Sequence, residues 1–379
     1  MDGDEEAILG LLRTLLAFSV LLDHLWGDGG DALLGGRLAV QTFYLISGFL
    51  ISYVLTATDT YRGARLKFYQ NRFLRLYPTY LAVALLTLMA HALLNTSFLP
   101  RYAEISDAAD AVLLLSNALL VGQDWVMFMG IHEGHLALTG NFMDSDVPLY
   151  EELLVPQAWT LGVELDFYLV APFLLASRRR LWLALLASLA LRTVLIATGI
   201  GRADPWTYRF FPSELALFLA GALSQQILLP RLERLCARRR RLPALAVAAL
   251  LLYSVAHFHM PLPPTLRDAL FLAVATALLP LAFIFQCRHR WDRRIGELSF
   301  PLYISHMLVI LLFERLAAGY KSAHPSAWLV AVAAASLAAA VALNLTVGVR
   351  VERWRRRIAA APVEPDRLRL PDRAAVGRP

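Results

Sequence analysis

Ten apolar runs, each near the roughly 20 residues a helix needs to cross a hydrocarbon layer, lie at 8–26, 38–57, 76–95, 158–176, 182–199, 210–229, 243–259, 268–286, 297–316 and 326–349. A soluble fold would have to bury nearly every face of every one of these helices. The composition points the same way: 58% of residues are hydrophobic and 17% charged, where globular chains run near 45–50% and about 25%. The pattern predicts an all-α fold, a polytopic transmembrane bundle of about ten spanning helices. It excludes collagen-like, coiled-coil and largely disordered chains.

Basic residues orient the bundle. Clusters at 62–75, 178–180, 231–241, 288–294 and 350–357 hold 23 Lys and Arg, and the alternate loops hold six. Ten spans place all 23 on one side, which the positive-inside rule makes cytoplasmic. An eleventh stretch, 111–129, is broken by Asn117, Gly122, Gln123 and Asp124. Were it also a span, four of the five clusters would fall outside, so it is predicted to be a re-entrant or interfacial helix on the outer side. Both termini are then cytoplasmic. We expect one membrane-embedded domain over 1–357 and a disordered cytoplasmic tail over 358–379, rich in Pro, Arg and Asp. The expected setting is a multi-pass position in the cell (inner, cytoplasmic) membrane, with the lipid bilayer as a partner.

The start carries Asp2, Asp4, Glu5 and Glu6, without the basic region of a cleaved signal peptide. Two cysteines, Cys236 and Cys287, make no disulfide framework. The basic residues are dispersed over short loops, which argues against nucleic-acid binding.

An ionisable residue inside a span costs about 2.5–3.5 kcal/mol on insertion scales, so each one needs a reason. The first run holds Arg13 and His24. Eleven residues apart on a helix, they share one face about 16 Å apart along the axis. Two readings are open: each snorkels to its nearer headgroup layer, or both point into one seam of the bundle. In the second reading His24 is placed to act as a general base. Arg72 and Arg75, three apart among aromatic residues, are either topology-setting arginines or a phosphate clamp.

Glu164 and Asp166 enter the membrane beside Trp159 and Tyr168. The group suggests an aromatic-lined polar pocket suited to a sugar ring. Ser47-Gly48, in mid-span, reads first as close helix packing. Glu214 lies early in the sixth run. Ser299, Tyr303 and His306 share a face of the ninth, with His306 open to reading as a satisfied buried group. His132-Glu133-Gly134-His135 is a weak metal motif lacking a third ligand, and no metal is assigned. There is no Gly-rich phosphate loop, no Cys/His zinc spacing and no Gly-x-Ser-x-Gly elbow.

Six segments fall in an order that resembles the acyltransferase family 3, integral-membrane enzymes that O-acylate bacterial surface glycans and other hydroxylated acceptors. They are Arg13-x10-His24, the run Phe43–Leu50, and Phe68-Tyr69-x2-Arg72-x2-Arg75-Leu76-Tyr77-Pro78. Then come Trp159-Thr160-Leu161-x2-Glu164-x2-Phe167-Tyr168, Pro212-x-Glu214-Leu215-x2-Phe218-x2-Gly221, and Leu298-Ser299-Phe300-Pro301-Leu302-Tyr303-Ile304-Ser305-His306. The resemblance covers about 8–350. It departs at Leu165-Asp166, where many members carry further Glu-Gln, and it includes no appended esterase-like outer domain.

The resemblance implies a membrane-bound O-acyltransferase with no permanently bound cofactor. Its donor is an acyl-CoA, acetyl-CoA by family habit, taken from the cytoplasm. The acceptor is a glycan or other hydroxyl on the outer side. Carried onto this chain, His24 is the catalytic base and Glu164 belongs to the catalytic or acceptor pocket. Arg13, Arg72 and Arg75 hold the donor's phosphates or orient its carbonyl. Trp159, Asp166 and Tyr168 are expected to line the acceptor site, with Ser47, Glu214, Tyr303 and His306 in support. Direct transfer from thioester to hydroxyl is expected, and an acyl-enzyme on Ser47 is a variant. Two competing classes stand beside the enzyme: a secondary transporter, which should show paired interrupted helices in two related halves, and a structural partner of a polysaccharide assembly complex.

Overall fold

A computed structural model describes residues 9–26, 32–96, 98 and 106–360. Each of the ten apolar runs is helical. In chain order the helices are α1 (Gly10–Trp26), α2 (Gly35–Thr56), α3 (Arg65–Leu93), α4 (Asp107–Leu119), α5 (Trp159–Leu174), α6 (Arg178–Ala197) and α7 (Phe211–Leu223). They continue as α8 (Leu229–Arg238), α9 (Leu242–Ala256), α10 (Pro264–Arg288), α11 (Arg290–Gly296), α12 (Ser299–Leu316), α13 (Ala318–Ala323), α14 (Pro325–Leu343) and α15 (Val349–Ala360). Among the described residues eight helical stretches are long and apolar enough to cross a membrane, which makes the chain a multi-pass membrane protein. α1 and α5, with 17 and 16 residues, are not among these eight. The last helix runs through Ala360, past the expected tail boundary at 358, and 361–379 lie outside the described residues.

Two sequence readings are revised. The stretch 111–129 is not one helix: α4 stops at Leu119 after 13 residues, about 20 Å and too short to span. It is followed by a single 3₁₀ turn over Trp125–Phe128. Beyond it the fold is not purely helical. Strands β1 (Met129–His132), β2 (His135–Leu138) and β3 (Val147–Pro148) form an antiparallel sheet in the order β2-β1-β3. His132 pairs with His135 across the turn. Glu133 and Gly134 have φ values of 50° and 78°, the left-handed pair that a two-residue hairpin turn needs. The His-Glu-Gly-His motif is therefore a hairpin tip.

The core of the bundle is set by one glycine crossing. A Cβ on Gly48 would lie 1.9 Å from the Phe218 carbonyl oxygen, and a Cβ on Gly221 would lie 1.9 Å from that of Leu45. α2 and α7 thus touch backbone to backbone, the close approach that small residues permit in membranes. Gly48 performs the packing role read from Ser47-Gly48, and Ser47 is turned to another neighbour. Glu214, fully buried, is held on this crossing by Arg192 of α6 and by Gln41 Nε2 of α2 at 3.1 Å. It ties three helices together.

Candidate functional site

Three adjacent cavities share lining residues. The largest, about 400 Å³, opens among α3, α11, α12 and α15, and Arg13, Arg75, Arg293, Arg353, Arg355 and Arg356 line it. A second of about 50 Å³ runs between α1, α2, α5 and α12, past Ser47, Thr160, Glu164, Ser299 and Tyr303. A third of about 20 Å³ is bounded by Ser47, Arg72, Arg75, Glu164 and Tyr168. Arg13 lines all three. Its guanidinium also lies 5.6 Å from the Phe43 ring centre. It is turned into the protein, whereas His24, which the seam reading places beside it, is exposed.

Within the third cavity Glu164 Oε1 accepts from Ser47 Oγ at 2.7 Å and from the Tyr168 hydroxyl at 2.5 Å. Glu164 and Tyr168 are four apart on α5 and share a face. Arg72 is buried and donates from Nη2 to Asn71 Oδ1 at 2.7 Å, and its Nε has no partner among the described residues. Six residues singled out in the sequence, Arg13, Ser47, Arg72, Arg75, Glu164 and Tyr168, therefore meet in one place.

α1 is fixed from below. Gly10 N and Leu11 N donate to the two carboxylate oxygens of buried Asp292 at 2.8 and 2.9 Å. Leu9 N donates to Gln286 Oε1, and Thr14 Oγ1 donates to the Ile295 carbonyl at 3.1 Å. These bonds satisfy backbone donors that a helix start leaves open. Only glycine fits at position 10, where a Cβ would fall 1.6 Å from the Asp292 carbonyl oxygen.

At the other end of α1, His24 is exposed and its ring centre lies 5.1 Å from that of His306 on α12. His24 Nδ1 donates to the Val20 carbonyl at 2.8 Å, and His306 Nδ1 to the Tyr303 carbonyl at 2.6 Å. A carbonyl only accepts, so in the neutral rings each proton sits on Nδ1 and each Nε2 keeps its lone pair. His306 is fully buried and its Nε2 has no partner among the described residues. His24 lines none of the three cavities. The contact between them runs through Tyr303, which lines the second cavity and whose ring centre is 5.9 Å from that of His306.

The structure separates the expected acceptor group. Trp159 packs edge-on against Tyr208, with Arg209 4.3 Å from its ring centre. Asp166 lies against Asp124 of the stretch between α4 and β1, whose carboxyl is pushed up to about 8, first by burial and then by the Asp166 charge. Tyr168 alone joins Glu164. Residue 166 is two positions beyond 164, about 200° around the helix, so the two carboxylates face opposite ways.

Several site residues had no separate signal. Arg353, Arg355 and Arg356 look like topology-setting arginines. Asn71 sits unremarked inside the Arg72–Arg75 motif, and Thr160 beside Trp159. Among the described residues no cluster of three or more His, Cys, Asp or Glu is arranged to hold a metal.

No curated protein and no solved structure matches the chain. A family model does: the acyltransferase 3 model, described as an acyltransferase domain, matches residues 6–345. It takes in Arg13, His24, the Arg72–Arg75 pair, Glu164 and His306. With most of its length matched, this chain belongs to the acyltransferase 3 family of membrane proteins.

Proposed function

We propose that the protein transfers an acyl group, acetyl above all, from cytoplasmic acyl-CoA to a hydroxyl of a carbohydrate or glycoconjugate on the outer side of a cell membrane. In this reading α1 and α5 complete a set of ten spans and both termini are cytoplasmic. One observation carries it: a basic cavity of nucleotide size shares Arg13 as a lining residue with narrow cavities at Ser47–Glu164 and Tyr303. A charged nucleotide belongs in the first, and its thioester arm would have to widen the other two to enter them.

The chemistry follows from the side chains. The Val20 carbonyl fixes the His24 proton on Nδ1, so Nε2 is the basic atom. It takes the proton of the acceptor hydroxyl as that oxygen attacks the thioester carbonyl. The tetrahedral intermediate then expels the CoA thiolate, and the imidazolium is the nearest acid to protonate it. Arg13, on the same helix, supplies positive charge towards the donor. His306 packs on the His24 ring and orients it. The exposure of His24 leaves it open to an acceptor from outside.

The test is thiol release from acetyl-CoA by purified protein in detergent, with and without a glycan acceptor. Acceptor-stimulated release that His24→Ala abolishes, with expression and membrane insertion intact, supports the reading. Normal turnover by His24→Ala refutes the base assignment. No thiol release, with acceptor movement across liposomes, would favour a transporter.

A further inference from the structure

We infer that α15, which begins at Val349 beyond the matched residues 6–345, is part of the donor site, and that Arg353 and Arg356 bind the phosphates of its nucleotide. The inference rests on the acyl-CoA reading above for the ligand's identity. The site itself stands on charge and geometry. Six arginines and two glutamates, Glu297 and Glu352, line the large cavity, a net formal charge of +4. A phosphate monoester and a diphosphate on one nucleotide carry roughly four negative charges. A single phosphate, carrying about two negative charges, would balance only about half of it.

α15 is built into this cavity. Between α14 and α15 the chain makes a wide π turn over Asn344–Gly348. Such turns shift the register of the helix that follows and are frequent at functional sites. Both ends of the turn line the cavity. A Cβ on Gly348 would sit 2.5 Å from Asn344 Oδ1, so a larger residue there would push the Asn344 side chain aside. α15 is then locked onto α3. Asn71 Oδ1 accepts from Arg355 Nη2 at 3.0 Å while also accepting from Arg72 Nη2 at 2.7 Å, and Lys67 Nζ donates to the Ala359 carbonyl at 2.5 Å. Buried Arg355 thus helps hold the amide that holds Arg72. Arg353 and Arg356, three apart and exposed, share a face at the cavity. Arg356 Nε donates to Glu352 Oε1 at 2.6 Å, which orients its fork.

The experiment is titration of purified full-length protein in detergent with CoA, ATP and pantetheine. It compares wild type, the double variant Arg353→Ala/Arg356→Ala, and the charge-matched control Arg350→Ala/Arg357→Ala, whose positions do not line the cavity. The expected result is a loss of about tenfold in CoA affinity for the first variant only, the value for two partly screened contacts. Pantetheine, which lacks the nucleotide, should be unaffected. Equal CoA affinity in all three proteins overturns the inference and leaves the acyl-CoA reading standing. Binding of ATP but not CoA, dependent on Arg353 and Arg356, upholds the phosphate site and removes acyl-CoA as donor. Wild type that binds neither nucleotide overturns the inference. So does arginine-dependent retention of anionic phospholipid with unchanged CoA affinity, which would assign the pair to lipid headgroups.

Discussion

Asp292→Ala should displace the helix that bears Arg13 and His24. The Asp292 carboxylate accepts from Gly10 N at 2.8 Å and from Leu11 N at 2.9 Å, with the residue 2% exposed. Alanine leaves both donors without their acceptor in a place with little room for water. Hydrogen bonds to a charged group are worth about 1.5–3 kcal/mol each. Taking the lower figure for both bonds, because α1 can shift slightly, the loss is about 3 kcal/mol. At roughly 2 °C per kcal/mol for a chain of this size, the apparent Tm should fall by about 6 °C. Asp292→Asn keeps one acceptor oxygen and should lose about half as much. The assay is thermal unfolding of detergent-purified protein followed by size exclusion, with thiol release measured well below the transition. Because the cap sets the height of α1, transfer should fall in both variants even where the protein remains folded. An unchanged Tm in Asp292→Ala would refute the cap as the anchor of α1. A lower Tm with normal transfer would separate α1 placement from the chemistry.

Other expectations are narrower. Ser47→Ala removes one of two donors to Glu164 Oε1 but no reacting atom in direct transfer. Activity should stay within about tenfold of wild type, whereas an acyl-enzyme on Ser47 would require near-complete loss; intact-protein mass spectrometry after donor addition checks for an adduct. Gly48→Ala forces a methyl to within 1.9 Å of the Phe218 carbonyl oxygen, so α2 and α7 must part at a cost of about 1–3 kcal/mol or more; a Tm equal to wild type would disprove the close crossing. Asp124, held up at about 8 by burial and Asp166, keeps its proton in the folded state over a range where the unfolded chain ionises. Its contribution therefore weakens stability as pH rises from about 4 to 8 and is flat below that range. Asp124→Asn should flatten that fall and raise Tm at pH 7.5, with the gain vanishing near pH 4; a tenfold difference in proton affinity between folded and unfolded chain is worth about 1.4 kcal/mol. A gain that persists at pH 4 would point to packing instead.

The helices were legible because the bilayer requires long apolar segments, and all ten runs became helices. Their lengths were less so. α3 begins at Arg65, eleven residues before the apolar run, and α15 extends the last run with basic residues. A helix need not end where the apolar pattern ends. The small sheet was not legible because strands of four, four and two residues are too short to show an alternating pattern. Its turn did have a signal: Glu133-Gly134 ends in the glycine that a two-residue hairpin turn favours.

The site divides along the same physical line. Arg13, Arg72, Arg75 and Glu164 stood out because a charge inside or beside a span is costly and needs a partner, and the fold brings them together. The pairing of Asp166 with Glu164 was a misreading of helical geometry. Positions 164 and 168 share a face and 166 does not, so periodicity alone could have chosen Tyr168 over Asp166 as the partner of Glu164. The arginines of the basic clusters were harder, because a residue that sets topology and one that binds phosphate have the same type, the same loops and the same local sequence. What separates them is tertiary. Arg355 reaches Asn71 across 284 positions, and Asp292, in the middle of a basic cluster, turns inward to cap α1 across more than 280. The positive-inside pattern accounts for the presence of these clusters in full and so hides any second use. In a chain of this kind the informative residues of the basic clusters are those whose side chains close one helix onto another, and such closure is a property of the packed bundle rather than of any segment within it.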